Sequence, residues 1–180
     1  MLALLVGLAV IAPALAEVKP SAKVLDELYD RLAKAKTDAE AQGISGAIQR
    51  VQIRSGSDTA DLLMSRAMTA FQAGNDDLAI DLLSAVIRLS PDFTEAWNRR
   101  ATVYYRKNDY ARAMADIAET LKRDPRHVGA WAGLGMILRE TGDKKRAYAA
   151  FQKALAVNPH LTEVRKAVDD LRPEVEGRDI

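Results

Sequence analysis

The sequence contains no cysteine, and this absence removes several classes of function at once. Without thiols the chain forms no disulfide bond, no thiolate zinc site and no cysteine nucleophile, and it carries no lipid on an N-terminal cysteine. Neither sign of charge is in excess, because 26 Lys and Arg residues stand against 25 Asp and Glu residues. A net charge of +1 generates no long-range field that would attract nucleic acid or an anionic membrane surface.

Groups that could carry catalysis are also scarce. The only histidines, His127 and His160, each follow a proline by no more than two residues, and we predict that both are solvated loop side chains. The carboxylate pairs at 76–77 and 169–170 are adjacent in sequence, so on a helix they point in different directions and form no acid and base pair. No Ser or Thr has a histidine base placed beside it. We therefore predict a protein without catalytic activity, bound metal or cofactor.

The first sixteen residues, MLALLVGLAVIAPALA, differ from the rest because no charged side chain precedes Glu17. This apolar run is shorter than the roughly 20 residues that span a bilayer. Its end, Ala14-Leu15-Ala16, fits a small-x-small cleavage site. We predict a signal peptide over 1–16, cleaved after Ala16, and hence a periplasmic or secreted bacterial protein. No Lys or Arg precedes the run, so a misassigned start Met and a buried N-terminal helix remain as alternatives.

An internal repeat organises most of the chain. Pro91, Pro125 and Pro159 are spaced 34 residues apart, and Trp97 and Trp131 each follow one of these prolines by six residues. Three further columns recur with the same period: Ala67, Ala101 and Gly135; Ala79, Ala113 and Ala147; and Leu83, Ile117 and Phe151. This spacing divides the chain into three blocks, 60–93, 94–127 and 128–161.

Each block has the pattern of two antiparallel helices. The turn between them is Gly-Asn, Asn-Asp or Gly-Asp, and Gly or Asn tolerates the left-handed conformation that closes a helix. The Asn or Asp that follows can cap the free N–H groups of the second helix. That helix ends before the repeat proline, which cannot continue it. Small residues in two columns would let the paired helices approach closely where they cross.

This pattern resembles the tetratricopeptide repeat (TPR) family. The matching residues of the third block are Trp131, Leu134, Gly135, Gly142, Ala147, Phe151, Ala154 and Pro159. Those of the second are Trp97, Ala101, Tyr104, Tyr110, Ala113 and Pro125, and those of the first are Gly74, Ala79 and Pro91. The resemblance implies an all-α fold, a right-handed superhelix of helix-turn-helix repeats with a concave groove. The chain also resembles short exported TPR proteins of Gram-negative bacteria.

The flanking segments fit the two ends of such a solenoid. We predict an N-terminal helical extension over 17–59, in which 21–54 could be a degenerate repeat, although its spacing departs from the 34-residue period. We predict a capping helix and polar tail over 162–180. Val164, Val168 and Leu171 form one apolar stripe on that helix, which would cover the last repeat.

In TPR proteins the concave groove is lined by set positions of the first helix of each repeat. By this resemblance we predict that the ligand-binding residues are Met68, Phe71, Asn98, Thr102, Tyr105, Arg106, Ala132, Met136 and Arg139. Glu95 falls on another groove position. For Met68 and Phe71, packing against the N-terminal helices is an open alternative. Asn98 and Arg139 alone do not complete the Lys, Asn and Arg set with which some TPR proteins hold a C-terminal carboxylate.

We predict that the protein is a scaffold that binds a protein or peptide partner of unknown identity in this groove. An alternative is a structural assembly subunit that oligomerises through its convex or terminal surfaces. Nucleic acid is disfavoured, because Trp97 and Tyr104 fall on core columns of the repeat. The basic side chains near them are also balanced by acidic residues, so little counterion release could drive such binding.

Overall fold

A computed structural model of the chain describes residues 20–177. Within them it forms helices and no strand. The helices are α1 (Pro20–Ala33), α2 (Asp38–Gln52), α3 (Asp58–Gln72), α4 (Asp76–Leu89), α5 (Thr94–Arg106), α6 (Tyr110–Arg123), α7 (Val128–Glu140), α8 (Lys144–Val157) and α9 (Thr162–Val175). The predicted signal peptide lies outside the described residues.

The turns inside the three blocks have the chemistry that the sequence predicts. Asn75, Asp109 and Asp143 cap α4, α6 and α8, each accepting the N–H of the residue three positions later. The residues before these caps adopt the left-handed backbone, with φ of 77° at Gly74, 58° at Asn108 and 86° at Gly142. Three helical hairpins of the same design follow one another along the chain, namely α3–α4, α5–α6 and α7–α8.

Small residues lie where the paired helices cross, as predicted. Ala67, Ala79, Ala113 and Ala147 are completely buried, and Gly135 lies against the ring of Phe151. Each hairpin also packs on the next, so three apolar clusters merge into one elongated core. The all-α repeat fold is confirmed.

The last helix closes the C-terminal end of the stack. Val168 and Leu171 of α9 are buried against α7 and α8, and Val164 packs beside them. The helix reaches Val175, beyond the apolar stripe, and contains Pro173 in its last turns. The predicted polar tail is therefore partly helical.

The N-terminal hairpin α1–α2 does not stack on α3 as a fourth repeat would. Its apolar face packs on Val128 and Val157, at the start of α7 and the end of α8 in the third repeat. We call the segments that connect one repeat to the next the junction loops; they are residues 90–93, 124–127 and 158–161. The Tyr29 hydroxyl donates to Asp124 Oδ2 at 2.5 Å, which ties α1 to the second of these loops.

His160 fastens the turn of this hairpin to the third junction loop. Its Nδ1 lies 2.6 Å from Asp38 Oδ1, and its Nε2 lies 2.9 Å from the carbonyl oxygen of Ala35. Since both ring nitrogens face acceptors, the arrangement favours the protonated ring, in which both nitrogens donate. The Ala35 carbonyl and the Asp38 carboxylate raise the pKa of His160 above its ordinary value. The prediction of a solvated loop histidine is wrong here, because the extension occupies this edge of the solenoid.

Candidate functional site

The first helices of adjacent repeats, α5 and α7, flank a small open cavity on the groove side. Its volume is about 90 Å³. The residues that line it are Asn98, Ala101, Thr102, Tyr105, Ile117, Gly129, Gly133, Met136 and Ile137. Four of the predicted groove residues, Asn98, Thr102, Tyr105 and Met136, are therefore brought together around one site.

Two glycines leave room for this cavity. Gly129 and Gly133 lie four residues apart on one side of α7, so no side chain fills the space that faces α5. A Cβ atom built on Gly133 would lie 3.6 Å from Ile117 Cδ1, at ordinary van der Waals distance. The floor is apolar, and Asn98 and Thr102 supply polar groups. Gly133 and Ile117 are site residues that the sequence reasoning missed, although two glycines within one helix were a visible signal.

A hydrogen-bonded tyrosine pair holds one end of the cavity. The hydroxyls of Tyr105 and Tyr110 both donate to the carboxylate of Glu140, and the two ring centroids are 6.0 Å apart. The hydrogen bond to Glu140, with burial, raises the pKa of Tyr105 to about 12. The same hydrogen bonds lower the pKa of Glu140. Tyr105 is thus a neutral side chain held in one orientation, and a partner would meet the exposed part of its ring.

Arg106 and Phe71 engage each other across two repeats. The guanidinium carbon of Arg106 lies 3.5 Å from the centroid of the Phe71 ring, and the same group forms an ion pair with Asp76. Phe71 and Met68 are half-buried and pack against the core cluster of α3, α4 and α5. The alternative, that the N-terminal helices cover Met68 and Phe71, is therefore wrong, because both side chains pack within the repeats. Arg106 is therefore occupied in joining repeats and is not a free groove cation.

Arg139 and Ala132 lie on α7 but outside the lining of the cavity. Arg139 is exposed, and its guanidinium carbon is 5.8 Å from the centroid of the Phe151 ring. It forms no ion pair within residues 20–177. Among the predicted groove residues, Arg139 is thus the cation that remains available to a partner in the described part of the chain.

A buried polar network lies beneath the groove. Glu95 is 3% exposed and accepts a hydrogen bond from His127 Nε2 at 3.1 Å, and Arg99 Nε lies 2.5 Å from its other oxygen. His127 is 4% exposed, and its Nδ1 accepts the N–H of Ala130 at 3.0 Å. The ring proton is therefore on Nε2, where it faces the carboxylate. Burial alone would raise the pKa of Glu95, but His127 and Arg99 lower it below its ordinary value.

This network corrects two expectations. His127 is not a solvated loop side chain, and Glu95 does not face the groove. The N-terminal hairpin contacts the second junction loop through Tyr29 and Asp124, and the ring of His127 lies beside the start of α7. The sequence alone does not show the contact of Glu95 with His127, because the two residues stand 32 positions apart, at opposite ends of the same block.

The basic residues around α5 and α6 are largely paired. Arg100 forms two hydrogen bonds with the buried Asp116, at 2.7 and 2.8 Å, and Arg123 pairs with Glu119. Over residues 20–177 no group of three or more His, Asp or Glu side chains converges as a metal site would require. No helix in the same residues is long and apolar enough to cross a membrane.

Comparison with known proteins identifies relatives of the chain. The sequence profile described as Tetratricopeptide repeat matches residues 29–92 and 98–160. A TPR repeat-containing protein of Rhizobium etli is 33% identical over 153 residues, which cover 85% of this chain and 75% of that protein. The profile match over residues 29–92 begins within α1, so it includes most of the N-terminal hairpin.

Solved structures share the fold at low sequence identity. The first TPR of Spaghetti, bound to an HSP90 peptide, superposes with a TM-score of 0.64 at 19% identity and covers 67% of this chain and 95% of that one. An O-GlcNAc transferase of Thermobaculum terrenum superposes with a TM-score of 0.60 at 20% identity. The superposition covers 66% of this chain but only 23% of the transferase.

Proposed function

Since the chain belongs to the tetratricopeptide repeat family, we propose that it is a non-catalytic scaffold that binds a segment of a partner protein along α5 and α7. The observation that carries this proposal is the cavity of about 90 Å³, which four predicted groove residues line. The peptide bound to the Spaghetti domain supports the class of ligand. The non-catalytic role is supported by the coverage, since the match spans nearly all of that peptide-bound domain but less than a quarter of the transferase.

The chemistry of the cavity defines the segment that would fit. An apolar floor of this size accepts one aliphatic side chain, and Met136 can adjust its shape to the occupant. Asn98 Oδ1 has no hydrogen-bond donor within residues 20–177, so it can accept a backbone N–H of an extended peptide. Arg139 lies on α7, three residues after Met136, and can pair with an acidic side chain of the partner. We propose an extended segment with an aliphatic anchor and a nearby carboxylate.

Attachment through a peptide C-terminus is not part of this proposal. The chain has Asn98 and Arg139 but not the full set of Lys, Asn and Arg that the family's carboxylate clamps use. Arg106, the neighbouring basic residue, is already paired with Asp76. An internal segment therefore fits the site better than a terminal one.

Filling the cavity should weaken binding without harming the fold. Gly133→Leu places a side chain in the space between α5 and α7, and the backbone tolerates it because only Ile117 Cδ1 lies near. For peptides selected from a displayed library on the unaltered protein, we expect affinity to fall at least about tenfold, the loss of one anchored side chain. Titration calorimetry measures the change.

The matched control is Gly43→Leu in α2, where a Cβ atom meets nothing within 4 Å. Both changes put leucine in place of a helical glycine, so they have similar effects on helix propensity. Equal affinities for the two variants and the unaltered protein would place the ligand elsewhere. Tyr105→Ala and Arg139→Ala then separate the aromatic contact from the charged one.

We also propose that the protein is exported and that signal cleavage leaves Glu17 as its first residue. The apolar segment before a polar, repeat-containing chain supports this proposal. Mass spectrometry of the protein isolated from its native cells should find a mature N-terminus at Glu17. Detection of the intact N-terminal peptide from Met1 in most of the molecules would contradict it.

A further inference from the structure

The N-terminal end of the repeat stack exposes leucine where the other repeats bury alanine. Ala96 and Ala130 occupy the third position of their blocks and are completely buried, because the preceding repeat packs on them. Leu62 occupies the equivalent position of the first block and is 59% exposed. A surface that is buried in every later repeat is thus open in the first.

The adjoining face of α4 has the same character. Leu78 is 46% exposed, Leu89 is 57% exposed, and Leu82 lies between them on the same side of the helix. The equivalent residues of α6 are Arg112, Asp116 and Arg123, which form ion pairs within their own repeat. We call the surface formed by Leu62, Arg66, Leu78, Asp81, Leu82 and Leu89 the end face.

This surface stands out in the described part of the chain. The large hydrophobic residues exposed there are Val24, Ile53, Leu62, Leu78 and Leu89. Three of the five belong to the end face, and Ile53 lies in the segment that leads into α3. Clustered exposed leucines on a folded domain mark an interaction surface, whereas single ones need no explanation.

No other element of the described chain covers the end face. Terminal repeats of a solenoid require a cap, and α9 provides one at the C-terminal end. The α1–α2 hairpin stands next in sequence to α3, but its apolar side chains pack with Val128 and Val157. The hairpin is thus committed to the junction loops and leaves the end face open.

The charges of the end face are complementary to each other but unpaired. Arg66 on α3 and Asp81 on α4 are exposed, and neither forms an ion pair within residues 20–177. Arg100, the equivalent of Arg66 in the next repeat, binds both Asp116 and the Ser84 hydroxyl. The positive group lies on one helix and the negative group on its antiparallel neighbour.

We propose that a second copy of this chain covers the end face in a two-fold symmetric dimer. In such an isologous contact, α3 of each copy lies on α4 of the other. Leu62 then packs between Leu82 and Leu89 of the second copy, and each Arg66 meets an Asp81. Self-complementary charge favours a second copy over a helix from another protein, which would need its own matching pair.

Sedimentation of the full chain tests the leucines. We expect a dimer at micromolar concentration for the unaltered protein and a monomer, half the mass, for Leu62→Glu combined with Leu89→Glu. The control is Val24→Glu, an exposed apolar position on α1 that lies outside the end face, and this variant should remain dimeric. Circular dichroism verifies that all variants keep their helical content. An unaltered protein that stays monomeric over the whole concentration range overturns the proposal.

A charge exchange tests the two-fold arrangement. Arg66→Asp brings two carboxylates together at each contact, and Asp81→Arg brings two guanidinium groups together, so each variant alone should dissociate at least tenfold more readily. Mixed in equal amounts, they should form a heterodimer in which both contacts are restored. Failure of the mixture to form heterodimers, or dimers of the single variants as stable as those of the unaltered protein, would refute this geometry.

Discussion

Glu95→Ala is expected to lower the free energy of unfolding by about 3 kcal/mol, a large share of the stability of a domain of this size. The reason is the position of the carboxylate, which is 3% exposed and receives His127 Nε2 at 3.1 Å. Without it, the buried His127 donor has no acceptor, and Arg99, whose side chain is 34% exposed, loses its ion-pair partner. An unsatisfied buried donor costs about 1–3 kcal/mol by itself. Urea denaturation at neutral pH measures the change.

Glu119→Ala is the matched control for this change. Glu119 also pairs with an arginine four residues later, Arg123, but the carboxylate side chain is 37% exposed. Pairs in contact with water contribute at most about 1 kcal/mol. If both variants lost the same free energy of unfolding, Glu95 would contribute no more than an exposed helix ion pair, and the buried network would add no stability of its own.

The contribution of Glu95 should also depend on pH in a defined direction. Its pKa lies below the ordinary value of 4.5 in the folded protein, because His127 and Arg99 favour the charged form more than burial opposes it. The folded state therefore gains stability above pH 4.5, and this gain disappears as the pH falls through the lowered pKa. Glu95→Gln lacks this contribution. Its deficit relative to the unaltered protein should be full at pH 7 and shrink in acid.

Gly135→Ala and Gly133→Ala are expected to shift stability in opposite directions, although the two glycines are two residues apart on α7. A Cβ atom on Gly135 would lie within 3.0 Å of three ring atoms of Phe151, which is 1% exposed. Such overpacking costs about 1–3 kcal/mol. At Gly133 the new atom meets only Ile117 Cδ1 at 3.6 Å, and relief of the glycine penalty stabilises the helix by up to about 1 kcal/mol.

Thermal melts of both variants test this pair of predictions. Gly135→Ala should melt below the unaltered protein and Gly133→Ala slightly above it. Combining Gly135→Ala with Phe151→Leu should recover part of the loss, because the smaller side chain leaves space for the methyl group. A Gly135→Ala protein as stable as Gly133→Ala would show that the ring of Phe151 moves away at no cost.

The contrast between these two glycines shows how far sequence reasoning reaches. Gly135 falls on a column with Ala67 and Ala101, so the repeat itself identifies it as a crossing point of two helices. Gly133 belongs to no column, and its role appears only when α5 and α7 are placed side by side. Asn98, Thr102, Tyr105 and Met136 were predicted because they occupy groove positions of first helices. Ile117 lies on α6, a second helix, and lines the cavity only because α5 and α7 leave space above it.

Charged and polar side chains were predicted less well than the apolar core. Arg106 and Arg139 occupy neighbouring groove positions in the repeat, but Asp76 pairs with the first, whereas the second remains exposed. Glu95 falls on a groove position and is buried. Asp76 lies in another repeat than Arg106, and His127 lies at the far end of the block from Glu95, so the local pattern of one helix does not reveal these partners.

The sequence by itself determined the repeat, its helices and its helix crossings, because small residues, caps and prolines act on their immediate neighbours and recur every 34 positions. The tertiary structure alone decided where the N-terminal hairpin packs. Tyr29 and His160 meet partners 95 and 125 residues away, and these contacts hold the hairpin on the junction loops and leave the end face uncovered. Such long-range contacts depend on the shape of the assembled stack, which no local pattern specifies.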